Sequence, residues 1–146
     1  MSGAISFESL FNHTKDIADR ITATCRDKNY SSYSVKANYI ADFKTCFSIS
    51  RNCFLPRPNV DSVFIKAKRK VFASGETRRF FSFVDSCFAH RRKKLINSLQ
   101  KDADYQNKVD VVAELLESMG KNHSVRAEEL SVDEYLILFR RLVSHI

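Results

Sequence analysis

Two short stretches of this chain carry residue types able to recognise a base or a polyanion. Phe54-Leu55-Pro56-Arg57-Pro58-Asn59-Val60-Asp61-Ser62 sets an aromatic ring and a guanidinium beside two prolines. Arg91-Arg92-Lys93-Lys94 is an unbroken run of cations inside Phe88-Ala89-His90-Arg91-Arg92-Lys93-Lys94-Leu95-Ile96-Asn97-Ser98-Leu99. A ring can stack on a planar base, and a guanidinium pairs with phosphate oxygens. Each stretch has a plainer reading. A Phe beside prolines also caps a core, and a basic run is also a solvated helix end. Adjacent like charges repel one another, a cost that phosphates relieve. Cys25, Cys46, Cys53 and Cys87 lack Cys-x-x-Cys spacing, and His13, His90, His123 and His145 are scattered, so no metal site and no disulfide framework is expected.

The elements that must position these residues follow from periodicity. Proline fixes its own φ and pushes the preceding residue towards extended backbone, so 55–58 reads as a stiff, extended presenting loop. It feeds a strand over 61–68, where Val63, Ile65 and Ala67 alternate with Ser62, Phe64, Lys66 and Lys68. Before the loop, Phe43, Thr45, Phe47 and Ile49 alternate with Lys44, Cys46 and Ser48, which predicts a strand pairing antiparallel with the first. A weaker strand is expected within 5–14. Ile17 and Ile21 lie four apart on a short helix with Thr14 as N-cap, and Val35 and Tyr39 mark another over 34–40. Gly75 and a polar run mark a boundary near 71, giving parts 1–70 and 71–146. Beyond it the period is helical: Phe80, Val84, Cys87 and Phe88, then Leu95, Ile96 and Leu99, then Val109, Val112, Leu116 and Met119 ended by Gly120. Ser131-Val132-Asp133-Glu134 is a capping box opening a last helix with Tyr135, Leu138 and Leu142 inward.

The chain has 146 residues, a formal charge of +7 and a pI near 9.4, which favours a polyanionic partner. Most of the excess lies before Val71. No long uncharged apolar run and no signal-peptide pattern is present, so a cytoplasmic protein with reduced thiols and no membrane partner is expected.

Phe-x-Pro-x-Pro-x-Val-x-Ser followed by a strand resembles the motif of the ribosomal RNA adenine N6-dimethyltransferases, a family that includes the erythromycin-resistance methylases. Thr14-Lys15-Asp16-Ile17-Ala18-Asp19-Arg20-Ile21 is similar to the family's Gln-Lys-Glu-Val-Ala-x-Arg-Ile. Tyr30-Ser31-Ser32-Tyr33-Ser34-Val35 stands where it has Tyr-Gly-x-Leu-Ser-Val, with Ser31 replacing a glycine. The basic stretch resembles Phe-x-x-Arg-Arg-Lys-x-Leu-x-Asn-Ser-Leu, and Arg126-Ala127-Glu128-Glu129-Leu130-Ser131 resembles Arg-Ala-Glu-x-Leu-Ser.

The resemblance implies an α+β fold: the last strands of a Rossmann-like, parallel methyltransferase sheet over 1–70, then a small all-α carboxyl-terminal domain over 71–146. It implies Phe54 stacking on an extruded target adenine; from charge and placement, Arg57 is expected on the neighbouring backbone and Arg91, Arg92, Lys93 and Lys94 on phosphates. The partner is ribosomal RNA or the small ribosomal subunit, and S-adenosylmethionine is the family's methyl donor. Gly3, Gly75 and Gly120 form no Gly-rich turn, and neither proline follows Asn-Leu, so the family's cofactor half and Asn-Leu-Pro-Tyr motif are not expected in this chain, nor is donor binding by it alone. Self-association through an exposed sheet edge follows. The alternatives are a non-catalytic RNA- or ribosome-binding module and a truncated product without a function of its own.

Overall fold

The computed structural model describes residues 8–53, 55–57, 61–70 and 74–144, with the backbone alone for 8–14 and 144. Strand β1 (Glu8–Thr14) runs directly into helix α1 (Lys15–Thr22), followed by α2 (Ser32–Ile40), β2 (Ala41–Ile49) and β3 (Ser62–Arg69). Four helices follow: α3 (Gly75–Phe88), α4 (Leu95–Gln100), α5 (Val109–Ser118) and α6 (Val132–Ser144). The sheet order is β1-β3-β2, and both described pairings are antiparallel. The β2–β3 hairpin is antiparallel, as expected. β3 returns between two strands that both run the other way.

Alternation on β3 puts Val63, Ile65 and Ala67 inward, all buried. On β2 the alternation read from sequence fails. Thr45 pairs with Ile65 and Phe47 with Phe64, so Cys46 is an extra residue, a β-bulge. An inserted residue moves everything beyond it to the other face. Phe43 therefore shares the inner face with Ala67, while Phe47 lies on the outer face, 49% exposed and stacked on Phe64 at 4.7 Å between ring centroids. α1 also turns slightly from expectation. Ala18 and Ile21 are its buried residues, and Ile17 is 37% exposed.

The helical periods hold. Phe80, Phe83, Val84 and Cys87 of α3, Leu95 and Leu99 of α4, Val112 and Leu116 of α5, and Tyr135, Leu138 and Leu142 of α6 share one buried cluster. Gly120 ends the α5 segment with φ +76°, the left-handed conformation that glycine adopts without a Cβ penalty, and Lys121 N–H returns to the Leu116 carbonyl at 2.8 Å. The Ser131 box is complete: Glu134 N–H donates to Ser131 Oγ at 3.2 Å and Ser131 N–H to Glu134 Oε1 at 2.9 Å. The cluster also takes in Ala23, Tyr30, Val35 and Tyr39 from before the sheet hairpin. Tyr39 packs on Phe80 with 4.6 Å between centroids. A second, smaller cluster, Ala18, Ile21, Val63 and Ile65, lies under the sheet. Ser31, where a glycine stood in the resembled motif, has φ −148° and ψ 179°, extended backbone open to any residue.

Candidate nucleic-acid interface

The basic run occupies the turn between α3 and α4. Ala89 to Arg92 are turn residues, Lys93 N–H donates to the His90 carbonyl at 2.8 Å, and Lys94 is extended with ψ 146°. A short turn with outward side chains leaves no room to bury four cations, and Arg91, Arg92, Lys93 and Lys94 are all exposed. Among the described residues the side chains of Arg92, Lys93 and Lys94 have no hydrogen bond or ion pair. Arg91 differs. Its Nη2 donates to the carbonyls of Lys28 and Tyr30, each at 3.1 Å.

Two further segments are tied to this turn. Lys94 forms an isolated antiparallel bridge with Arg126, and Leu95 N–H donates to the Val125 carbonyl at 2.9 Å. Arg26 N–H donates to the Glu128 carbonyl at 2.8 Å, which draws the 25–30 loop against the same segment. Arg26 has φ +74°, a left-handed conformation that costs an L-residue about 1–2 kcal/mol. Tyr30 anchors the loop from within, its hydroxyl donating to the Leu130 carbonyl at 2.7 Å. Burial, then the neighbouring Cys25 and Glu134, pushes its pKa up, so the phenol stays a donor. Arg26, Lys28 and Arg126 are exposed. They thus join the predicted run in one basic surface that spacing along the chain did not reveal. The Arg-Ala-Glu motif held a signal for Arg126, and the polar 25–32 loop a weaker one for Arg26 and Lys28.

Arg57 is exposed on the loop between β2 and β3, and no hydrogen bond links that loop to the basic surface among the described residues. The loop bends at Leu55 and Pro56, which are joined by a cis peptide, instead of running straight. Asp61 fixes its ends: its Oδ1 accepts from Arg51 N–H at 2.9 Å and its carbonyl from Lys15 N–H at 3.3 Å, tethering the loop to the start of α1. Phe54 lies outside the described residues, as do Pro58, Asn59 and Val60. A cleft of about 400 Å³ opens between the end of α1 and the start of α6, lined by residues including Thr22, Cys25, Asn38, Phe43 and Asp133. No Lys or Arg lines it, so it offers a phosphate no counter-charge. Beside it, burial opposes ionisation of Glu134, but the Ser131 N–H and the Lys121 ammonium at 2.9 Å outweigh it and hold the carboxyl below its ordinary range. Among the described residues no helix is long and apolar enough to cross a membrane.

Comparison with known proteins gives this arrangement its context. The family model for ribosomal RNA adenine dimethylase matches residues 5–143. Ribosomal RNA small subunit methyltransferase A of Mycoplasma mobile is 32% identical over 130 residues, covering 88% of this chain and 49% of the relative. Its counterpart in Chlamydia muridarum is 38% identical over 130 residues, covering 87% and 46% respectively. The chain spans about half the length of the curated relatives it matches. Among solved structures, a dimethyladenosine transferase from Plasmodium falciparum superposes with a TM-score of 0.74 at 20% identity, over 94% of this chain and 57% of that one. The 23S rRNA methyltransferase ErmE gives 0.63 at 20% identity, over 93% and 55%, so the α+β fold is shared with methyltransferases. With the family pattern running through both the sheet and the helices, this chain belongs to the ribosomal RNA adenine dimethylase family.

Proposed function

We propose that this chain is the substrate-contacting, carboxyl-terminal portion of a ribosomal RNA adenine N6-dimethyltransferase acting on the small ribosomal subunit. In this reading 1–70 are the last strands of a Rossmann-like sheet, with the reversed β3 at its end, and 71–146 the helical RNA-contacting domain. The observation that carries it is the gathering of Arg26, Lys28, Arg92, Lys93, Lys94 and Arg126, from three separate segments, on one exposed surface. Clustered cations without internal partners bind phosphates by releasing counterions. Arg57 would meet the backbone near the target nucleotide, and Phe54 would stack on the extruded adenine.

S-adenosylmethionine is the donor the family implies, and the described residues do not fit it. β1 passes into α1 without a glycine, Gly75 stands alone where the chain passes from β3 into α3, and Gly120 closes α5, so the described residues form no Gly-rich strand-to-helix turn that could receive the cofactor. No step of methyl transfer is therefore assigned to these residues. That misfit favours a second reading, an RNA-binding module that does not itself bind the donor. Both readings place the protein in the cytoplasm. The β1 and β2 edges, each paired only with β3 among the described strands, are where copies of the chain would associate.

The deciding experiment pairs two titrations. Binding of a small-subunit rRNA stem-loop should weaken strongly in Arg92→Ala/Lys93→Ala/Lys94→Ala, with a shallower salt dependence; unchanged binding would remove the proposed surface. Calorimetry with S-adenosylmethionine separates the readings, because stoichiometric binding would make the chain a donor-binding enzyme and defeat the module. In an assembly that supplies the donor, Phe54→Ala should lose turnover and keep its RNA affinity. A proportionate loss of both would remove the stacking role.

A further inference from the structure

We infer that Arg91, although it belongs to the basic run, is a positioning residue: its guanidinium clamps the 25–30 loop so that Arg26 and Lys28 enter the phosphate-binding surface. The inference rests on the proposed RNA-binding reading for what the surface does, and on hydrogen bonds alone for the clamp.

Within Arg91-Arg92-Lys93-Lys94, Arg91 is the residue whose side chain is engaged by the protein among the described residues. Its Nη2 places one hydrogen on the Lys28 carbonyl and one on the Tyr30 carbonyl, both at 3.1 Å, and so fixes two points flanking Asn29. Both carbonyls belong to a loop that needs holding. Arg26 carries left-handed backbone, and the stretch is otherwise ordered by its N–H to Glu128, the turn bonds from Asp27 N–H to Thr24 and Tyr30 N–H to Asp27, Asn29 N–H to Asp27 Oδ1 at 3.0 Å and a long bond of 3.4 Å from Ser34 Oγ to the Asn29 carbonyl; none of these holds the Lys28 carbonyl. The Tyr30 ring secures the loop from the core side, 6.2 Å from Phe88 at the end of α3. Arg91 secures it from the solvent side, where Lys28 and Arg26 project. A guanidinium suits this task because its planar fork holds two donors at fixed directions. Already bonded to backbone, this nitrogen is not free to meet a phosphate.

The test is a charge-conserving substitution in the full chain. Arg91→Lys keeps the positive charge but loses the fork and its reach. Affinity for a fluorescent small-subunit rRNA stem-loop is measured by anisotropy across a KCl series, beside Arg26→Ala/Lys28→Ala and the combined variant. Each released phosphate lowers the log–log salt slope by roughly 0.7–0.9. Arg91→Lys should therefore lower the slope by up to about 1.4–1.8, the share of two phosphate contacts, without any change of net charge. Combining it with Arg26→Ala/Lys28→Ala should lower the slope no further. Amide exchange at Arg26 and Tyr30 should accelerate in Arg91→Lys, with exchange in α5 unchanged. An unchanged slope in Arg91→Lys together with a loss in Arg91→Ala would make Arg91 a direct phosphate ligand and overturn the clamp. Additive losses in the combined variant would overturn it as well. Failure of the wild-type chain to bind the stem-loop would sink the functional reading, not the clamp. The exchange rates then decide alone: acceleration upholds the clamp, and unchanged rates overturn it.

Discussion

The helical cluster and the sheet cluster are built by different rules. In the first, four helices and the chain around Tyr30 and Tyr39 surround Phe80, Phe83, Leu99 and Leu138 from every side, and all four are inaccessible to solvent. In the second, β3 offers a buried face to α1, with Val63 and Ile65 carrying it and Ala37 of α2 and Phe43 of β2 packed against it. The outer face keeps Phe47 half exposed, stacked on Phe64. A helix bundle closes a core around itself, whereas a single sheet needs cover on its second face. The basic surface sits where the better-packed cluster reaches back to the 25–30 loop. Its cations thus border the more fully buried of the two clusters, and Arg57 lies on the loop of the sheet.

This contrast can be broken by core truncation. Phe80→Ala should cost about 3–5 kcal/mol in urea unfolding, as expected for a buried aromatic, and should release Tyr39 and Phe139, whose rings flank it at 4.6 and 5.5 Å. Ile65→Ala, at about 2–5 kcal/mol, probes the smaller cluster. If both variants shift one coincident transition, the clusters melt as one cooperative unit and the contrast is one of packing only. Separate transitions would make it one of stability.

A smaller effect tests the junction between the two regions. Tyr30→Phe keeps the ring but leaves the Leu130 carbonyl without its buried donor, at a cost of about 1–3 kcal/mol. A neutral outcome in thermal unfolding would mean that this hydroxyl adds nothing to the ring packing and the other hydrogen bonds of the 25–30 loop. The smallest effect comes from acid. Glu134 has its folded pKa below the ordinary value of 4.5, so the unfolded chain takes up the proton first. Its contribution is complete above the unfolded value and is lost as pH falls through the folded one. Wild type should therefore destabilise more than Glu134→Gln on acidification below about 4.5. Parallel curves would show that the Ser131 cap and Lys121 do not hold that charge.

Much of this was legible in the sequence because period and caps are local. The Ser131–Glu134 box, Gly120 after α5 and the inward stripe of α3 and α6 each depend on residues within a few positions. The β2 faces were not legible. Phe43, Thr45, Phe47 and Ile49 alternate perfectly on paper, and the bulge at Cys46 changes their partners without changing their spacing. The cations of 91–94 were visible as a run, but Arg91's partners are backbone carbonyls far away in sequence, and a carbonyl carries no residue signature. For the same reason Arg26 and Arg126 reach the surface through tertiary hydrogen bonds to which composition is blind.

The sheet order also governs how the protein reaches its shape. β1 emerges from the ribosome before the other described elements, yet its partner, β3, is the last of the three described strands to be made. Among the described strands β1 has no ladder to join until Lys68 is available to face Glu8, and closing that distance costs chain entropy before any hydrogen bond repays it. The β2–β3 hairpin can form from neighbouring residues, and it then offers β1 a template. Of the described strands, nascent β1 is therefore the one most open to wrong pairing, and the lysines of β3 opposite it, Lys66 and Lys68, bring charge to a template that would otherwise accept strands indiscriminately.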